Sequence, residues 1–207
     1  MTPAPRRVPR QARSRALVER VLDATARVLE REGYDAATTN RVAAEAGVSP
    51  GSLYQYFADR EDLLVALTAR FVRGFERDLE PALRSAIPLD PRTASEGVVR
   101  ATLTALEAQA PLLRALTAHV PGDRQAELVR AMRSRVADHV FATLSRIRPA
   151  PAPADAERYT WLILEVAQTL PVRYVVERPP IDRERFVADT VAIVLGLYDR
   201  AARTTAG

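Results

Sequence analysis

The chain is predicted to be all-α, with a three-helix N-terminal unit and a larger helical body behind it, about nine helices in all. Three observations predict this. Apolar residues recur at helical spacing along most of the 207 residues. Proline and glycine punctuate these stretches where helices must stop. Nowhere does apolar and polar character alternate residue by residue, as a strand would require, and there is no internal repeat.

The first helix is expected over about residues 13–31, where Leu17, Val21 and Val28 run beside Val18, Leu22 and Leu29 as adjacent apolar stripes; Gly33 ends it. Residues 38–57, TTNRVAAEAGVSPGSLYQYF, then spell two short helices around a tight turn, near 40–46 and 50–57. Gly47 sits where the first of them must stop, because glycine takes the left-handed conformation without a Cβ penalty. Ser49 is placed to cap the next helix, with Pro50 in its first turn, where a missing N–H costs nothing. Val42, Ala43, Ala46, Val48, Leu53 and Tyr56 are spaced to pack the pair together, and the small Ala43 lets them cross closely. That is a helix-turn-helix, whose second helix enters the DNA major groove.

Asp59 is a candidate cap for a fourth helix, with Glu61 and Asp62 suited to the positive end of its dipole. Leu63, Leu64, Leu67, Phe71 and Phe75 carry its apolar face to about Leu83. This helix is the natural mechanical link between the reading head and the body. Pro88 and Pro91 break the chain; further helices are expected near 93–108 and 112–118, and one from Asp123 to about Ile147. Residues 148–154, RPAPAPA, read as a semi-rigid spacer. Two long helices close the chain, about 155–177 and 182–203, with Pro171 expected to kink the first. The final helix carries Phe186, Thr190, Ile193 and Leu197 beside Val187, Val191, Val194 and Tyr198. Apolar faces that wide on adjacent helices imply burial on more than one side.

Gly33-Tyr34, Thr38-Thr39, Val42-Ala43, Ala46-Gly47-Val48-Ser49, Gly51, Leu53-Tyr54-Gln55-Tyr56-Phe57 and Leu63-Leu64 together resemble the TetR (tetracycline-repressor) family of bacterial transcriptional regulators. The resemblance is specific over about residues 13–66. One departure is Arg60, where the family commonly has lysine; a forked guanidinium and a point charge bind phosphate differently. The resemblance implies residues 13–57 as a DNA-binding domain behind a flexible basic arm at 1–12, and residues 58–207 as a ligand-sensing and dimerisation domain.

Within the motif, Ser49, Gly51, Ser52 and Gln55 are candidates for contacts at or near base edges, with Pro50 at the start of that helix. Gln55 is the best reader by chemistry, since its amide pairs bidentately with adenine. Thr38, Thr39, Tyr54, Tyr56 and Arg60 suit phosphate contacts, which position a module without carrying sequence information. The resemblance assigns backbone contact to Thr39, Tyr54 and Arg60 in particular. It also implies a small, often apolar effector between the middle helices, for which Phe71, Phe75, Leu103, Leu116, Met132, Trp161 and Glu165 are the candidate lining. Trp161 and Glu165 stand one turn apart, a pairing that suits a cation. Phe186, Thr190, Ile193, Val194 and Leu197 are the candidate dimer stripe.

Other functions find little material. There is no cysteine, and His119 and His139 are the only histidines. No metal site, cofactor or catalytic constellation is expected, and neither a membrane span nor a secretory signal is expected. A cytosolic, ligand-responsive repressor, homodimeric on a pseudo-palindromic operator, is the expectation; a constitutive DNA-binding regulator without a ligand is the alternative.

The formal net charge is +4. Residues 1–20 hold six arginines (Arg6, Arg7, Arg10, Arg13, Arg15 and Arg20) against Glu19, a surplus of five, so the rest of the chain sits near neutrality at −1. All basic residues are arginine. The surplus lies just before the helix-turn-helix, where it can neutralise phosphates and release counterions. Deleting residues 1–12 should therefore weaken DNA binding and make the slope of log affinity against log salt shallower. The change should reach up to about 0.9 for each phosphate that the arm neutralises on each chain. A salt titration of the truncated protein checks this; an unchanged slope would make the arm a passive tail.

Overall fold

A computed structural model describes residues 12–86, 90–119, 137, 140 and 153–203. Among the described residues there are eight helices: α1 (Ala12–Glu32), α2 (Thr39–Ala46), α3 (Pro50–Tyr54), α4 (Arg60–Ala86), α5 (Pro91–Glu107), α6 (Ala110–His119), α7 (Pro153–Glu177) and α8 (Arg183–Arg203). No strand occurs among them, so the chain is all-α as expected. The helix expected from Asp123 to Ile147, with Met132 and His139 on it, lies outside the described residues apart from positions 137 and 140.

The caps follow the sequence closely. Gly47 takes the left-handed conformation at φ 62°, and the Val48 amide returns to the Ala43 carbonyl at 3.0 Å. Gly33, at φ 83°, ends α1 in the same way. Asp59 accepts from the Asp62 amide while Asp62 accepts from the Ala58 amide, both at 2.9 Å, a reciprocal cap that starts α4.

Three boundaries differ from expectation. The second helix of the motif stops at Tyr54 rather than Phe57, because Gln55 is already its C-cap and the chain must turn to reach the Asp59 cap. The fifth helix starts at Pro91 rather than residue 93, since Asp90 caps the Arg92 and Thr93 amides and proline is free to occupy the first helical position. By the same logic α7 begins at Pro153, inside the stretch expected to be a spacer. Both Pro81 and Pro171 are accommodated within continuous helices.

Packing divides the described residues into two compact units, 12–72 with 111–119, and 73–86 and 90–110 with 137, 140 and 153–203. The core of the first holds Val21, Leu22, Val28 and Leu29 of α1, Val42 and Ala43 of α2, Leu53 of α3, Phe57, and Leu63, Leu64, Leu67 and Phe71 of α4. In the second, α5, α7 and α8 pack on one another, burying Leu103, Leu106, Ile163, Leu164, Val187, Val191 and Val194. A fully buried leucine contributes roughly 2–3 kcal/mol, so these cores outweigh any exposed ion pair.

Charge adds orientation. Glu45 of α2 meets Arg27 at 3.0 Å and Arg31 at 2.9 Å, both on α1, and Arg41 at 3.2 Å. Glu32 meets Arg31 at 2.7 Å and Arg41 at 2.6 Å. Hydrogen bonds from Arg41 and Arg31 hold the Glu32 carboxyl down to about 2, and those from Arg31 and Arg27 do the same for Glu45. In the second unit Arg100 spans Glu96 and Glu184, joining α5 to α8 and lowering the Glu184 carboxyl pKa, while Arg183 reaches Glu107 and Thr104.

A carboxylate whose pKa is lower in the folded chain than in the unfolded one stabilises the fold above its unfolded pKa. That stabilisation disappears as pH falls towards the folded value. For Glu32 and Glu45 the window runs from about 4.5 down to about 2. Glu45→Gln should accordingly lower the melting temperature at neutral pH, and the gap from wild type should close as pH is taken through that window or as salt is raised. Thermal unfolding followed by circular dichroism measures both; a gap independent of pH would place the role of Glu45 in packing rather than charge.

Candidate nucleic-acid interface

The expected DNA-facing side chains gather around the start of α2, along α3 and in the turn after it. Thr38 is the N-cap of α2, its hydroxyl accepting from the Arg41 amide at 3.2 Å. Thr39 opens α2, and its hydroxyl lies 2.9 Å from the Tyr54 hydroxyl on α3. Two hydroxyls are thus presented together at the junction of the helices, and Tyr54 is 43% exposed despite its size. Ser49 caps α3 by accepting from the Ser52 amide at 3.1 Å, and the two serine hydroxyls are 2.8 Å apart.

Pro50, Gly51 and Gln55 are exposed. A Cβ added at Gly51 would meet nothing within 4 Å, so nothing in the chain itself demands glycine there. Leu53 and Phe57 are the buried side of the same segment, and Tyr56 lies between the two sides, half-buried. The polar face of α3 therefore points away from the core of its unit. This is the arrangement a groove-reading helix requires.

Arg60 is engaged within the chain. Its guanidinium lies over the Tyr34 ring, 4.0 Å from the centroid, and Nη1 donates to the Tyr34 carbonyl at 3.3 Å. The Asp35 carboxylate is 4.0 Å away. The Tyr34 hydroxyl donates to Glu61 at 2.8 Å, which raises the phenol above its ordinary pKa. Sequence reasoning misses this pairing of Tyr34 with Arg60 and Glu61. The available signal is an aromatic residue in the loop before a helix-turn-helix, facing an Arg-Glu pair at the start of the next helix.

The candidate ligand residues fall in different places. Phe71 and Leu116 are core in the first unit and Phe75 and Leu103 in the second, each at most 3% exposed. Trp161 is 56% exposed, and the described residues do not enclose it; the inward side of α7 carries Ile163, Leu164 and Val175 instead. Glu165, one turn on, is half-buried and accepts from Thr169 at 3.5 Å. Met132 is outside the described residues.

The expected dimer stripe divides in two. Phe186, Thr190 and Val194 are buried within their own chain, because α8 turns that side to α5 and α7. Ile193, 47% exposed, and the half-buried Leu197 face outward, with Ala192 and Gly196 exposed beside them.

Comparison with known proteins agrees with this geometry. Residues 21–67 match the bacterial regulatory proteins of the tetR family, and residues 90–197 match the tetracyclin repressor-like C-terminal domain. The HTH-type transcriptional regulator BetI of Rhizobium meliloti (strain 1021) is 28% identical over 174 residues, 82% of this chain and 83% of that protein. The fatty acid metabolism regulator protein of Bacillus subtilis (strain 168) is 31% identical over 64 residues, 29% of this chain and only a third (33%) of that protein. A TetR-family transcriptional regulator from Mesorhizobium loti superposes with a TM-score of 0.70 at 18% identity, covering 92% of this chain and 98% of that one. The fatty acid degradation regulator FadR of Bacillus halodurans gives 0.62 at 18% identity, over 86% and 97%. These relatives are transcriptional regulators rather than enzymes. No helix among the described residues is long and apolar enough to cross a membrane. With both of its domains matched, the chain belongs to the TetR family of DNA-binding transcriptional regulators.

Proposed function

We propose that the protein is a one-component repressor that binds a pseudo-palindromic operator as a homodimer and is released by a small-molecule inducer. The observation that carries the DNA half of this reading is the joint presentation of Thr39 and Tyr54 beside the exposed polar face of α3. Two hydroxyls 2.9 Å apart suit a single phosphate, which would hold the module in register while Ser52 and Gln55 reach base edges. Thr38, Ser49, Pro50, Gly51 and Tyr56 complete the proposed contact face. A C2 dimer supplies the symmetry of an inverted repeat, and the inducer acts only through different affinities for the two conformations.

The match of residues 90–197 to a tetracyclin repressor-like C-terminal domain supports an effector. The 56% exposure of Trp161 means that a site framed by Trp161 and Glu165 would be open on the Trp161 side among the described residues. A regulator without an effector is the second reading. It is favoured by the burial of Phe71, Phe75, Leu103 and Leu116, all of them consumed by the cores of their own units. The two readings part on whether any small molecule lowers operator affinity, and linkage requires operator to weaken that molecule's binding by the same factor.

Selection from random DNA should return an inverted repeat with half-sites about one helical turn, or a multiple of it, apart. Gln55→Ala should change preference at one position of each half-site, by about 1–3 kcal/mol. Tyr54→Phe and Thr39→Val should weaken all sites alike. A selection that returns no symmetric motif counts against the reading as a whole.

The dimer should form through the outward side of α8, where Ala192, Ile193, Gly196 and Leu197 make a surface that is an aggregation hazard if left bare. Ile193→Arg or Leu197→Arg should yield a folded monomer with much weaker operator binding. Val194→Arg should instead damage the fold, because Val194 is only 3% exposed within its own chain. Sedimentation velocity with circular dichroism distinguishes the two; a wild-type monomer at micromolar concentration would refute the dimer.

A further inference from the structure

Arg60 is one departure from the family pattern, at a position where the family commonly has lysine, and its half-buried side chain is engaged by other residues of the chain. A guanidinium is a flat, weakly hydrated cation that stacks on aromatic faces and donates through a rigid fork; an ammonium does neither in the same way. Here the plane covers Tyr34 at 4.0 Å and one arm of the fork donates to the carbonyl of the same residue at 3.3 Å. The tyrosine is gripped a second time by Glu61, the next residue of α4, through its hydroxyl at 2.8 Å.

The first turn of α4 thus holds both ends of Tyr34. What Tyr34 holds in turn is the loop between α1 and α2. Its carbonyl also accepts from the Ala37 amide at 3.1 Å, and Ala37 is fully buried. The next residue, Thr38, caps α2 by accepting from the Arg41 amide through its side chain, and its carbonyl accepts from Val42 at 2.9 Å. Thr39, which follows, carries the hydroxyl paired with Tyr54.

We propose that Arg60 is a positioning residue rather than a phosphate contact: by clamping Tyr34 it sets the loop 34–38, and through that loop the placement of the Thr39–Tyr54 hydroxyl pair. The clamp itself is independent of DNA; its consequence for affinity rests on the operator-binding reading above.

Two arms test it. In the DNA-free protein, Arg60→Ala should speed amide hydrogen exchange at residues 37–42 by about five- to tenfold, as expected when a cation–π interaction and a hydrogen bond are removed. Arg60→Lys should do nearly the same, and in a Tyr34→Leu background Arg60→Ala should have a smaller effect than in the wild type, because the ring that the guanidinium covers is gone. Unchanged exchange in Arg60→Ala overturns the clamp.

With selected operator DNA, Arg60→Ala should weaken binding about five- to tenfold while the slope of log affinity against log salt stays at its wild-type value, and Arg60→Lys should not restore affinity. A slope shallower by about 0.9 per protomer, with rescue by lysine, would make Arg60 a phosphate ligand and overturn the proposal. Failure of the wild-type protein to select any operator refutes the regulator reading instead, and the exchange arm on the free protein still decides the clamp.

Discussion

The DNA-facing surface depends on a helix too short to exist alone. With five residues from Pro50 to Tyr54, α3 closes little more than one turn, and nucleating a turn costs more than its hydrogen bonds return. Its geometry is therefore borrowed. Leu53 is fully buried against the unit that holds Val42 and Ala43, and Ser49 and Gly47 fix the angle at which the chain enters. Each base-reading or phosphate-binding candidate on α3 is positioned only as well as that scaffold is rigid.

This explains why so much charge lies on the far side of α2. The pairing of Glu45 with three arginines and of Glu32 with two ties α2 to α1. Exposed pairs of this kind add little to global stability, yet their directional geometry adds to the register that packing of α1 on α2 sets. They also offset two of the three positive charges carried by Arg27, Arg31 and Arg41. The Arg60–Tyr34–Glu61 cluster holds the loop that leads into α2.

In the N-terminal unit almost every element is legible from sequence, because local chemistry decides it. A left-handed glycine, a serine cap followed by proline, and an aspartate cap are each visible in three or four letters, and Gly47, Ser49-Pro50 and Asp59 all behave as those letters say. What is not legible there is long-range. Gln55 reads as the last turn of a helix by periodicity, yet it is a C-cap because the chain must reach Asp59. Arg60 reads as an exposed phosphate ligand by position, yet it lies over a tyrosine 26 residues earlier. Neither fact follows from spacing along the chain.

The C-terminal unit shows a different limit. Periodicity reports how wide an apolar face is, not what covers it. In α8 it groups Phe186, Thr190 and Val194 with Ile193 and Leu197 as one interface stripe. On a helix of about 3.6 residues per turn, however, positions 193 and 197 lie about 60° around the axis from 190 and 194 respectively. That rotation is enough to turn one row towards α5 and α7 and leave the other at the outer margin. The same ambiguity governs α7, where the apolar pattern places Trp161 in an interior and the packing leaves it exposed. Width alone does not say which row faces which neighbour; assigning the rows requires knowing where α5 packs. In an all-α domain that choice separates an internal cavity from an exposed face, and it is made by helix packing rather than by any residue type.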